Sequence, residues 1–228
     1  MQRRLFLAYL GTGVVAISCS AQNAPELSAA EVIQKASAAL GSVKSVHFKL
    51  TATNGMMAIG DGFAAKSVEG DVLKPDRLKG TAVSSFGNLT VDLGFMVIGS
   101  KQYVTNPVTK QWQAMPGANA APNLLDPNRG AAALLRQISD PKKLANETVD
   151  NVDCYHLTGQ LAASLLAGLV GATGTSNRLN GELWIATKDF LVRQVHLVGP
   201  IAKNEPPQIQ RTLDLSNYGE SVTIEPPT

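Results

Sequence analysis

The chain has 228 residues, of which 44% are apolar, 17% charged and 5% aromatic, and its formal net charge is +2. That length holds one domain of ordinary size with a real core. Arg3 and Arg4 are the only charged residues before Cys19, so everything from Cys19 onward carries eighteen basic and eighteen acidic residues. No net basic field remains to attract nucleic acid.

The chain opens Met1-Gln2-Arg3-Arg4, continues through an apolar stretch from Leu5 to Ile17, and reaches Ser18-Cys19. A basic start, a short apolar run and small residues at a cleavage point form the layout of a secretory signal. The run is well short of the roughly 20 residues that a spanning helix needs. Ala16-Ile17-Ser18-Cys19 resembles a lipobox. Residues 1–18 are therefore expected to be a signal peptide, Cys19 the lipidated residue, and 19–27 a short tether. Two acyl chains on that thiol would hold the protein to the extracytoplasmic side of the cell membrane, where one chain would not. A plain signal cut near Ala21 is the other reading, and it would discard Cys19. Arg3-Arg4-Leu5-Phe6-Leu7 also resembles the core of a twin-arginine signal, so the export route is Sec or Tat.

Beyond the tether, Ser28 and Glu31 form a capping-box pair, with Leu27 and Val32 placed as a hydrophobic staple. Val32, Ile33, Ala36, Ala39 and Leu40 share one face up to a stop at Gly41, which predicts a helix of about twelve residues. From Val43 the period changes to two, with Val46, Phe48 and Leu50 alternating with His47, Lys49 and Thr51. Further strands are expected over 56–68, 70–74, 77–86, 88–98 and 101–105, separated by turn residues at hairpin spacing. The clearest alternation is Leu89, Val91, Leu93, Phe95, Val97, with Thr90 and Asp92 on the other face.

Residues 131–138 read as a helix after an Asp126-Pro127-Asn128 turn, and Ser139-Asp140-Pro141 as a second turn or short helix. Strand patterns return over 145–149 and 152–159. A short apolar helix follows over 161–171, then a loop over 172–180, and strands over 180–187, 190–199 and 208–216. No repeat or long linker divides residues 28–228, so they are expected to be one domain.

The search for chemistry finds little. His47, His156 and His196 each lie in an alternating strand segment without a second ligand at close spacing, so no metal site is expected. There is no nucleophile elbow, phosphate-binding loop or dinucleotide fingerprint. The pairs Asp61 with Glu69 and Asp150 with Asp153 fall in turn-like segments. Cys154, the only cysteine besides Cys19, reads as a buried inert thiol, with a dimer-forming or reactive thiol as the alternative. Neither an enzyme nor a cofactor is implied.

Several segments, taken in order, resemble the LppX/LprAFG-type lipoproteins known from mycobacterial envelopes. They are Ala38 to Phe48, Gly70-Asp71-Val72 to Arg77-Leu78-Lys79-Gly80, Tyr103 with Trp112, Leu125 to Gly130 and Cys154 to Gly159. Near the end Gly181 to Ile185, Val192 to Val195, Leu213 to Gly219 and Ile224 to Pro227 match as well. The resemblance implies an α+β fold: a strongly curved antiparallel sheet, an open half-barrel like that of LolA, with helices packed on its concave face. It also implies an apolar cavity that holds acyl chains, and carriage without catalysis.

The residues expected to line that cavity are Leu50, Val83, Leu89, Val91, Leu93, Phe95, Val97, Leu134, Leu135, Ile138, Leu161, Leu165 and Leu169. The small side chains at Ala131 to Ala133, Ala162, Ala163, Ala167 and Gly168 supply little volume beneath the sheet. An unfilled apolar cavity costs about 24 cal/mol per Å³, which a bound chain would relieve. Close packing of helix on sheet is the other reading of the same small residues. The expected partners are an envelope lipid or lipoglycan, the membrane through the anchor, and a membrane transporter, with the protein itself a monomer. The alternative is a sensor or adaptor lipoprotein that binds a protein partner through the same half-barrel.

Overall fold

A computed structural model of the chain describes residues 26–59, 63–86, 89–115, 124–128, 130–170 and 174–227. The first helix, α1 (Ala29–Ser42), starts at Ser28 with the reciprocal capping box: the Ser28 side chain accepts from the Glu31 amide, and the Glu31 carboxylate accepts from the Ser28 amide. Leu27 packs against the cluster that holds Val32. The helix runs past the expected stop. Gly41 is still helical, its carbonyl accepts from Lys74 Nζ at 2.6 Å, and extended Val43 ends the element.

Strands β1 (Ser45–Thr53), β2 (Met57–Ile59) and β3 (Phe63–Leu73) follow, then β4 (Arg77–Phe86), β5 (Leu89–Ile98), β6 (Lys101–Thr105) and β7 (Trp112–Ala114). Helix α2 (Ala131–Leu135) precedes β8 (Ser139–Lys143), β9 (Glu147–Val149) and β10 (Val152–Ala162). Helix α3 (Ala163–Val170) leads to β11 (Arg178–Ala186), β12 (Val192–Val198) and β13 (Gln210–Ser216). The sheet order is β7-β6-β5-β4-β3-β1-β13-β12-β11-β10-β8, with β2 on β3 and β9 on β10, and every pairing is antiparallel. The outermost strands do not meet, so the curved sheet is open. This is the expected α+β half-barrel.

Several boundaries differ from the sequence pattern for local reasons. The strands expected over 56–68 and 70–74 are redistributed: β3 runs unbroken through Glu69-Gly70, because Gly70 faces Gly80 across the ladder and the strand has no reason to stop. Residues 139–143 form strand β8 instead of a turn, with Pro141 tolerated because β8 is an edge strand whose pairing shifts register there. Helix α2 covers only 131–135, and α3 starts at Ala163 because Leu161 and Ala162 remain in β10 paired with β11. The turn between β9 and β10 is Asp150-Asn151, both at positive φ, as a two-residue hairpin requires.

Directly opposed residues share a face, so the pairing register sorts the whole sheet. On one face lie Val46, Phe48, Leu50 and Ala52 of β1, then Val68, Gly70 and Val72 of β3, and Leu78, Gly80 and Ala82 of β4. Phe95, Leu93 and Val91 of β5 continue it on one side, and Leu215, Leu213, Val195, Leu183 and Leu157 on the other. Helices α1 and α2 pack on this inner face. Val32, Ile33, Ala36, Leu40, Ala132 and Leu135 form one buried cluster with Val46, Val72, Leu157, Leu183, Ile185 and Val192. Each fully buried Val, Leu or Ile there contributes about 1.5–3 kcal/mol. Ser37 stitches the two helices, donating to the Ala132 carbonyl at 2.8 Å while accepting from Arg136 at 2.6 Å.

Candidate functional site

The strand residues of that cluster come from the beginning of β1, β4, β10 and β12 and the end of β3, β11 and β13. Those positions all lie at one end of the half-barrel, which α1 and α2 close. Two smaller clusters lie toward the other end. One joins Ala52, Met57, Ala65, Val68, Ala82 and Ile209, and the other joins Ala163 and Ala167 of α3 to Leu179 and Ile201.

Along the inner face these clusters are flanked by part-buried apolar side chains: Phe48 packs against both the helix cluster and the Ala52 cluster, Val195 against the first, and Leu50 and Phe95 against the second. Leu50, Val91, Phe95, Val195, Leu197 and Leu213 are only half-buried although the register points them inward. Opposite β5, strand β4 presents little bulk: Gly80, Ala82 and Ser84. The Phe95 ring lies over Gly80, where an added Cβ would come within 2.7 Å of the ring. Gly70 and Gly80 face each other so closely that a Cβ on Gly70 would meet the Lys79 carbonyl oxygen at 2.2 Å. Such approach is open only to glycine and lets the sheet bend sharply there.

The thirteen predicted lining residues divide into groups. Leu93, Val97 and Leu161 are inward and buried, while Leu50, Val91 and Phe95 are inward and half-buried. Leu135 is buried in the helix cluster, Ile138 packs at its margin against Gly159, and Leu134 is half-buried. Leu89 shares the inner register of β5 but is 70% exposed at the strand's start, where it pairs with Phe86. Leu165 on α3 is also exposed. Val83 is a correction: it pairs with Asp92, whereas its neighbour Ala82 pairs with Leu93, so Val83 belongs to the outer face. The side chain of Leu169 and all of Cys19 lie outside the described residues.

Sequence reasoning missed Val195, Leu197, Leu213 and Leu215, although Leu213 and Leu215 alternate with Thr212 and Asp214 in a readable period of two. It also missed an ion pair. Arg211 occupies an inner-face position opposite Ala52 and Leu197. Its guanidinium pairs with Glu205 and donates to the Gly199 carbonyl at 2.9 Å, and both side chains are buried. Glu205 also accepts from the amides of Ala58, Ile201 and Ala202, at 2.8, 2.7 and 3.0 Å. Burial opposes its charge, but the hydrogen bonds from Arg211, Ala202 and Ala58 outweigh this and hold its carboxyl below the ordinary carboxylate range. The carboxylate thus ties β2, the β12–β13 loop and β13 together.

The outer face carries the polar chemistry. His47 meets Asp71 at 2.8 Å, and His156 meets Glu182 at 2.9 Å while stacking on Trp184, whose indole donates to Glu147 at 2.8 Å. His196 faces Thr212 and Glu182 in the same register. Among the described residues no group of three or more His, Cys, Asp and Glu side chains could hold a metal ion. Cys154 is free and buried beside Trp184 and Ala186, and burial pushes its thiol pKa up. An open surface hollow of about 370 Å³ lies at the helix-closed end, lined by residues that include Ala39, Val43, Leu191 and Tyr218.

A family model described as LppX_LprAFG lipoprotein matches residues 28–224. The chain belongs to the LppX_LprAFG family. It is 25% identical to the lipoarabinomannan carrier protein LprG of Mycobacteroides abscessus over 238 aligned positions, which span 100% of this chain and 99% of that protein. Two solved LppX_LprAFG structures share the fold. LprF from Mycobacterium bovis superposes with a TM-score of 0.69 at 22% identity, covering 87% of this chain and 96% of that one. LppX from Mycobacterium tuberculosis gives 0.63 at 18% identity, covering 86% and 98%. Among the described residues of this family member, no helix is long and apolar enough to cross a membrane.

Proposed function

We propose that the protein is a carrier of the cell envelope, anchored through Cys19, whose inner sheet face takes up the acyl chains of a lipid or lipoglycan. The observation that carries this reading is the apolar inner face: Leu50, Val91, Phe95, Val195, Leu197 and Leu213 point inward yet remain half-buried beside the packed clusters at its two ends. A globular core of this size normally fills such a space, because unfilled apolar volume is costly. An acyl chain laid there gains about 0.8 kcal/mol per buried CH2. The description of LprG as a lipoarabinomannan carrier is in keeping with the same use of the fold.

The test is native mass spectrometry and organic extraction of the purified full chain, which are expected to release co-purified lipid. Leu50→Trp with Val91→Trp fills the inner face with side chains and is expected to reduce the lipid recovered while the circular dichroism spectrum stays unchanged. Lipid-free wild-type protein, or undiminished lipid in the folded double variant, would sink the reading.

A further inference from the structure

Among the described residues five large apolar side chains are exposed: Leu89, Val108, Leu144, Leu165 and Val198. Singly, such residues need no explanation. Their placement does, because four of the five lie at the end of the half-barrel opposite the α1–α2 closure. Leu89 is at the start of β5, Leu165 on α3, Val198 at the end of β12, and Val108 in the β6–β7 turn, which Lys110 ties to the Asp92 carbonyl in the first half of β5.

Val108 is 86% exposed on a well-fixed turn. Asn106 Oδ1 accepts from the amides of Val108 and Thr109 at 2.9 and 3.0 Å, and the Asn106 amide donates to the Gln111 carbonyl at 2.8 Å. The same end carries exposed Lys66, Lys110, Arg178 and Lys203. Against these four cations stand, among the described residues, two exposed carboxylates, Asp92 and Asp140, while Glu205 is buried and spent on Arg211.

Apolar tips flanked by cations fit one kind of surface: a bilayer with anionic headgroups, where short apolar side chains enter the headgroup region and basic ones stay above it. We propose that this open end docks on an anionic lipid surface, with Leu89, Val108 and Leu165 entering the interface and Lys66, Lys110 and Lys203 meeting the headgroups. The partly open inner face then lies directly above the membrane from which chains would be drawn. Only that last step rests on the carrier reading; the docking stands without it.

The test uses the full chain reconstituted into vesicles. Val108→Cys is labelled with an environment-sensitive dye, which spares the buried Cys154, and Ser100→Cys at the opposite end serves as control. Quenching by brominated lipid is expected at position 108 and not at position 100, in phosphatidylglycerol–phosphatidylcholine vesicles and much less in phosphatidylcholine alone. Lys110→Gln and Lys203→Gln are each expected to lower the docked fraction relative to the undocked one about fivefold. Equal quenching at the two positions, or indifference to phosphatidylglycerol, overturns the proposal. Val108→Asp separates the two readings: docking is lost while the lipid recovered from the purified protein is unchanged. Loss of that lipid in Val108→Asp overturns the assignment of Val108 to docking alone.

Discussion

Arg211 stands where the alternation of β13 calls for an apolar side chain, and it is held there by Glu205 six residues earlier. A buried ion pair of this kind adds little over a well-packed apolar pair, but losing one partner leaves an uncompensated charge. Glu205→Gln is therefore expected to cost about 3–5 kcal/mol at neutral pH, measured by urea unfolding. The carboxyl pKa is lowered in the folded state. Its contribution is thus complete above the ordinary carboxylate range and is lost as pH falls through that range and the lowered folded value. The wild-type chain is expected to lose stability across this acid window, and the Gln variant to lose less over the same interval. Nothing in the local sequence announces this pair. Arg211 follows Gln210 in a short strand, Glu205 sits in a turn, and only the folded loop brings them together.

The elements were legible in proportion to how well hydropathy followed the pleat. β5 could be read directly, since Leu89, Val91, Leu93, Phe95 and Val97 alternate with Thr90, Asp92 and Gly94 until Met96 and do share one face. β4 could not, because its inward residues, Leu78, Gly80, Ala82 and Ser84, are mostly small while the outward Val83 is large. Size pointed one way and register the other, and register decides. The same small residues make the bend. Gly70→Val is expected to destabilise the domain by at least the 1–3 kcal/mol of an overpacked core, because its Cβ would meet backbone, which cannot rotate aside. Thermal unfolding of the variant checks this. β8 was misread for a related reason, since Pro141 suggests a turn until the strand is seen to be an edge.

At the scale of the molecule, family and half-barrel were both readable from ordered short motifs, because these mark turns and strand ends that the architecture fixes. A guest-binding space was not readable, since it would depend on how clusters at the two ends of the inner face, which Phe48 bridges, pack across the sheet. If a chain occupies that space, binding adds RT ln(1 + [L]/Kd) to stability. Delipidated protein is expected to melt below the protein as purified, and to regain its melting temperature when a long-chain lipid is supplied; equal melting temperatures would count against occupancy.

The α1–α2 closure would give such a space one more property. A sleeve stoppered at one end would be filled from the other end or the open side of the sheet, so a guest would enter tails first and leave headgroup first. Whatever sits on the headgroup, a small polar cap or a long glycan, would stay outside throughout. A sleeve of this form discriminates by the number and length of the tails it admits, and leaves recognition of the head to whatever waits at the opening.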